Sequence, residues 1–81
     1  MKVKVLYFAS ARDLTAVNEE SVRLPDGTTV AELLKEVVRA HPGLKRLEPS
    51  IRVSVNFQLV DGASTLCDGD EVGILPPVAG G

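Results

Sequence analysis

The residues best suited to chemistry are the last six, Pro76, Pro77, Val78, Ala79, Gly80 and Gly81, reading "PPVAGG". The two prolines have no N–H, cannot extend a strand ladder, and stiffen the chain toward polyproline II geometry. Val78 and Ala79 are small, and the two glycines carry no Cβ. Fully extended, Pro76 to Gly81 reaches ~20 Å, a probe slim enough for a channel that admits no side chain. Its terminal carboxylate is a poor electrophile until it is activated, for example as an acyl-adenylate. A sulfur or nitrogen nucleophile can then attack the carbonyl. No Walker-type phosphate loop is present, so ATP and catalytic groups have to come from a partner enzyme. The plain alternative is an inert, floppy end.

Other chemistry-bearing residues are more ambiguous. Cys67 is the one cysteine. It sits in a turn without a sequence neighbour that would favour its thiolate, so it reads as incidental. A single thiol excludes an intrachain disulfide and the usual cysteine-based metal sites, and fits a reducing, cytoplasmic setting. Asp68, Asp70 and Glu71 form an acidic cluster near the tail in sequence. It either steers a basic partner or serves as turn-forming Asp-Gly and a wet strand start. His41 precedes Pro42 at a helix end, where a positive charge suits the helix dipole.

Composition narrows the classes further. With 81 residues there is room for one small domain. The net charge of −2 provides no basic footprint for nucleic acid or anionic membranes. The apolar run in "MKVKVLYFAS" is too short and too alternating for a signal peptide, and no segment approaches a membrane span.

The elements that must hold out the tail follow from periodicity. "KVKVLYF" alternates with Val3, Val5 and Tyr7 inward; Leu6 and Phe8 share the lysine face. "ASARDLTAVN" reads as a loop with at most a short helical turn. "EESVRLP" is the second strand of an antiparallel hairpin, and "PDG" is a turn. Thr29 and Glu32 form a capping box opening a helix whose stripe is Val30, Leu33, Leu34, Val37 and Val38. "HPG" ends it. "LKRLEPS" is a connector. "IRVSVN" is a strand with Ile51, Val53 and Val55 inward. "FQLVDGASTLCDGD" contains two Asp-Gly turns, and "EVGIL" is the last strand. The expected architecture is α+β in the order β-β-α-β-β, with residues 1–75 as the domain and 76–81 as the tail. One sheet face takes the helix; the other carries Leu6, Phe8 and Leu75, with Leu59 nearby, as a candidate partner surface.

"VLYFASARDL", "TVAELL", "VSVN" and above all "LCDGDEVGILPPVAGG" resemble the small-subunit family of molybdopterin synthase across essentially the whole chain. The resemblance implies a ubiquitin-like β-grasp fold with a mixed sheet. It further implies that Gly81 is adenylated by an enzyme related to ubiquitin-activating enzymes, then converted to a thiocarboxylate by a sulfurtransferase. The loaded tail would enter the large synthase subunit and donate sulfur to cyclic pyranopterin monophosphate, within a heterotetramer. No cofactor or metal is implied for the chain itself; ATP belongs to the activating partner. Phe8, Leu59 and Leu75 match family positions that meet partners, with Leu75 standing where an aromatic can occur. Arg12, after "FAS", either pairs with an acidic group on a partner or is a solvated loop residue. Three rivals remain: a carrier for thiamine-thiazole or tRNA thiolation, a ubiquitin-like protein modifier, and an interaction domain with an inert tail.

Overall fold

A computed structural model of the chain describes residues 1–77. Val78, Ala79, Gly80 and Gly81, named above as tail and reactive terminus, lie outside the described residues. The elements are β1 (Lys2–Tyr7), α1 (Ala9–Thr15), β2 (Glu19–Arg23), α2 (Val30–Ala40), a 3-10 segment (Pro42–Ser50), β3 (Arg52–Val55), β4 (Gln58–Val60) and β5 (Glu71–Leu75). The strands form one five-stranded sheet in the order β2-β1-β5-β3-β4. Only β1 and β5 run parallel; the other pairs are antiparallel. The anticipated β-β-α-β-β frame is therefore present, with α1, the 3-10 segment and β4 added to it.

Strand alternation decides the two faces. Val3, Val5, Tyr7, Val53, Val72 and Ile74 point inward and are buried. Against them α2 places Val30, Leu33, Val37 and Val38. Leu34, the remaining member of that stripe, is only partly buried. The capping box is formed: the Glu32 N–H donates to Thr29 Oγ1 at 3.3 Å, and the Thr29 N–H donates to Glu32 Oε1 at 2.9 Å. The Thr29 N–H, and then the Thr29 hydroxyl, which donates to Glu32 Oε1 at 3.1 Å, hold the Glu32 carboxyl below its ordinary range.

Three stretches differ from expectation. "ASARDLT" is a two-turn helix rather than a loop, and it carries Ala11 into the core. Its N-cap, Phe8, makes no side-chain cap hydrogen bond, so the usual start signal is missing. "LKRLEPS" winds as 3-10 helix and buries Leu44 completely. β4 is a short strand inside the supposed loop, paired to β3 through a two-residue hairpin at Asn56 and Phe57. Ile51 and Val55 are only partly buried but pack against the core, which also contains Leu44 and Leu66.

Candidate functional site

The uncovered face of the sheet is organised in rows set by strand register. Its middle row runs Glu19, Leu6, Gly73, Ser54, Leu59 across the five strands. On one side lies an ionic row, where the Lys4 ammonium sits 3.7 Å from Glu19 and 3.9 Å from Glu71. On the other side Leu75 pairs with Arg52, and Phe8 follows the end of β1. The apolar members therefore cluster toward the end of the sheet where β5 stops.

Phe8 is held there by two features. Its N–H donates to the Ile74 carbonyl at 3.3 Å, and its own carbonyl accepts from Ala11 and Arg12 at the start of α1. Gly73 provides the seat. A Cβ at Gly73 would lie 3.1 Å from Phe8 Cε2 and 2.5 Å from Ser54 Oγ. The aromatic ring thus rests on bare backbone of the central strand, yet stays 42% exposed. Leu59 is 56% exposed and Leu75 partly buried. Arg12 lies one helical turn beyond Phe8, exposed and outside every ion pair among the described residues. It is part of a helix rather than a loop, and its exposure is compatible with either role, partner-facing or solvated.

The tail leaves from the middle of this arrangement. β5 lies between β1 and β3, with Tyr7 beside Ile74 and Leu75 beside Arg52. Pro76 and Pro77 follow directly, and Pro77 is exposed. Neither can donate to a neighbouring strand, so the ladder stops and the chain is released beside Phe8 and Arg52.

The acidic residues do not belong to this end. Glu71 opens β5, about 13 Å from Leu75 along the strand. The cluster is largely architectural: Asp68 Oδ1 accepts the Lys2 N–H at 2.7 Å, and Asp70 Oδ2 accepts the Cys67 N–H at 2.8 Å. Proximity to the tail in sequence is thus reversed in space, because an extended strand separates the two. Cys67 is exposed at that same far end.

A second polar group sits on the covered face. The Tyr7 hydroxyl donates to Glu20 Oε2 at 2.5 Å, and His41 Nε2 lies 2.7 Å from the same oxygen. The tyrosine and histidine rings meet edge-on at 5.4 Å. Burial opposes ionisation of Glu20, but the hydrogen bonds from Tyr7 and His41 and the histidine's charge when protonated outweigh it and hold the carboxyl below its usual range. Burial, then the neighbouring carboxylate, push the Tyr7 hydroxyl well above its ordinary value. This group ties the edge strand β2 to the C-terminal end of α2, so His41 has a structural partner rather than a free charge at a helix dipole. Its alternating strand positions concealed the contact, which joins residues far apart in sequence. Among the described residues no cluster of His, Cys, Asp or Glu has the form of a metal site, and no helix is long and apolar enough to cross a membrane.

A mixed sheet gripping one main helix, with a central strand that leads directly into Pro76 and Pro77, defines a ubiquitin-like β-grasp protein; a ubiquitin from Caldiarchaeum subterraneum shares this fold at 17% identity, covering 100% of this chain and 98% of its own, with a TM-score of 0.68. The chain belongs to the ThiS family, whose model matches residues 5–81. It is 40% identical to the molybdopterin synthase sulfur carrier subunit of Chlamydomonas reinhardtii, over 100% of both chains. The Homo sapiens protein of the same name is 35% identical, over 99% of this chain and 94% of its own. SAMP1 from Haloferax volcanii, a small archaeal modifier protein, superposes with a TM-score of 0.88 at 26% identity over 100% of both chains. In a complex of subunits 1 and 2 of molybdopterin-converting factor from Helicobacter pylori, the matching chain superposes with a TM-score of 0.72 at 27% identity, again over 100% of both.

Proposed function

We propose that this chain is the sulfur carrier subunit of a molybdopterin synthase, working in the cytoplasm, with Gly81 as its working end. The Gly81 carboxylate attacks the α-phosphate of ATP on a ubiquitin-activating-like adenylyltransferase and releases pyrophosphate. The persulfide of a sulfurtransferase then attacks the acyl-adenylate carbonyl and AMP departs; a thiol cleaves the resulting acyl disulfide, is oxidised to a disulfide, and leaves the thiocarboxylate. The large subunit receives the loaded tail and supplies the catalytic groups that pass sulfur to cyclic pyranopterin monophosphate. The carrier is no enzyme on its own; two copies flank a large-subunit dimer in a heterotetramer. Pro76, Pro77, Val78, Ala79 and Gly80 form the slim arm, and Phe8, Leu59, Leu75 and Arg12 form the docking face.

The observation that carries this is the exit of the tail from the central strand directly beside the half-exposed Phe8. A partner that covers the apolar row is thereby placed to receive the glycines. The named relatives, which match over 99% or more of this chain, support the same assignment. Intact-mass analysis of the protein made in cells with an active charging system tests it. One oxygen replaced by sulfur, localised to Gly81, is expected; only the free carboxylate would count against a carrier.

The likeness to a modifier protein favours a second reading, conjugation of Gly81 to lysine amines. That would leave Gly-Gly remnants on other proteins after proteolysis, and their absence separates the two.

A further inference from the structure

The hairpin joining β3 to β4 is built against its own stability. Asn56 and Phe57 both have positive φ, 49° and 70°, as a two-residue type I′ loop requires. Glycine is the ordinary choice at the second position, and an aromatic residue there is strained. Phe57 is also 85% exposed, more than either of the other exposed large apolar residues, Phe8 and Leu59. Strain and exposure both disfavour phenylalanine at this position.

The tip is nevertheless held firmly. The Asn56 N–H donates to the Glu71 carbonyl at 2.8 Å, its Nδ2 donates to Asp70 Oδ1 at 3.0 Å, and its Oδ1 accepts the Glu71 N–H at 3.1 Å. Three hydrogen bonds, two to Glu71 at the start of β5 and one to Asp70 just before it, thus fix a loop that presents an aromatic side chain to solvent. An exposed aromatic on an already ordered backbone spares the loop-ordering cost when it is covered, which suits an interface anchor.

We propose that Phe57 is an anchor for the large subunit, extending the docking face beyond the tail end, and that it enters an apolar socket with a basic rim. The proposal rests on the carrier reading above. Position argues for this partner: Phe57 lies two residues from Leu59 on the same hairpin, about 7 Å along the chain. A standard protein interface of ~800 Å² per side spans close to ~28 Å. A partner covering Phe8, Leu75 and Leu59 therefore reaches Phe57. Charge argues for the rim. The carboxylates of Asp68 and Asp70 make no ion pair among the described residues, and that of Glu71 meets only Lys4 at 3.9 Å.

The test is titration of the full-length carrier with the purified large subunit, alongside thermal melting. Phe57→Gly is expected to leave the fold at least as stable, since it relieves the left-handed strain, and to weaken binding by about tenfold or more. Phe57→Tyr is expected to keep the affinity. An unchanged affinity for Phe57→Gly, with Phe8→Asp still abolishing binding, overturns the anchor and leaves the carrier reading intact. Unchanged affinity in both variants overturns the docking face as a whole. In a parallel titration with the adenylyltransferase, weakened binding of Phe57→Gly there with large-subunit affinity intact overturns the choice of partner.

Discussion

Replacing Phe8 by alanine separates docking from folding, because the ring is shared between the two. A phenylalanine side chain presents about 200 Å², and 42% of Phe8 is exposed. About 85 Å² is therefore available to a partner, equivalent to about 2 kcal/mol at 25 cal/mol per Å². That corresponds to roughly 30-fold in Kd. The remaining contact, against Gly73 and the start of α1, stabilises the fold by up to about 3 kcal/mol, an upper bound because the unfolded chain already hides part of this area. Phe8→Ala is thus expected to weaken binding to the large subunit by about 30-fold while the protein still unfolds cooperatively at a lower urea midpoint. Calorimetric titration and urea denaturation on the same sample read both quantities. Wild-type affinity in a folded Phe8→Ala protein would refute the assignment of this face. Complete unfolding would show that Phe8 is a core residue.

Gly73→Ala should move Phe8 and Ser54 together; it is expected to cost about 1 kcal/mol in urea denaturation, and much of that cost should vanish when Ser54→Ala is added. Strict additivity of the two changes would mean that the notch on β5 is not tight. Glu20→Gln should lower stability at pH about 7 by about 1 kcal/mol, the worth of a partly exposed charge-assisted hydrogen bond. Because the Glu20 carboxyl is held below its unfolded value, its contribution is present above the unfolded pKa and is lost as pH falls through the folded one. The gap between wild type and variant should therefore close under acid, and a gap constant across that range contradicts the charge. Thr29→Ala removes the N-cap of α2 and is expected to cost about 1 kcal/mol with no change in large-subunit affinity, measured by melting and titration.

Much of the frame was legible because its signals are local. Thr29 and Glu32 announce α2 by chemistry between residues three apart, and the alternation in "KVKVLY" and "EVGIL" decides the two sheet faces. That alternation also isolates Leu6, Phe8 and Leu75 on the uncovered face. The missed elements lack such signals. α1 opens on Phe8, which offers no capping oxygen, and β4 is only three residues long. The seat for Phe8 depends on Gly73 meeting Ser54 across strands, and the Tyr7–Glu20–His41 group joins two strands to a helix end. Phe57 is hidden for a different reason: its hairpin puts phenylalanine where glycine is the usual marker of the turn. The acidic cluster lies near the tail in sequence but at the opposite end of β5 in space, because an extended strand, Glu71–Leu75, separates the two.

The central claim concerns the terminal glycine, and reconstitution from purified parts tests it most directly. Carrier bearing a Gly81 thiocarboxylate, mixed with the large subunit and cyclic pyranopterin monophosphate, is expected to form molybdopterin. Carrier with the ordinary carboxylate, or lacking Gly81, is expected to form none. Equal product from the charged and uncharged carriers would contradict the account.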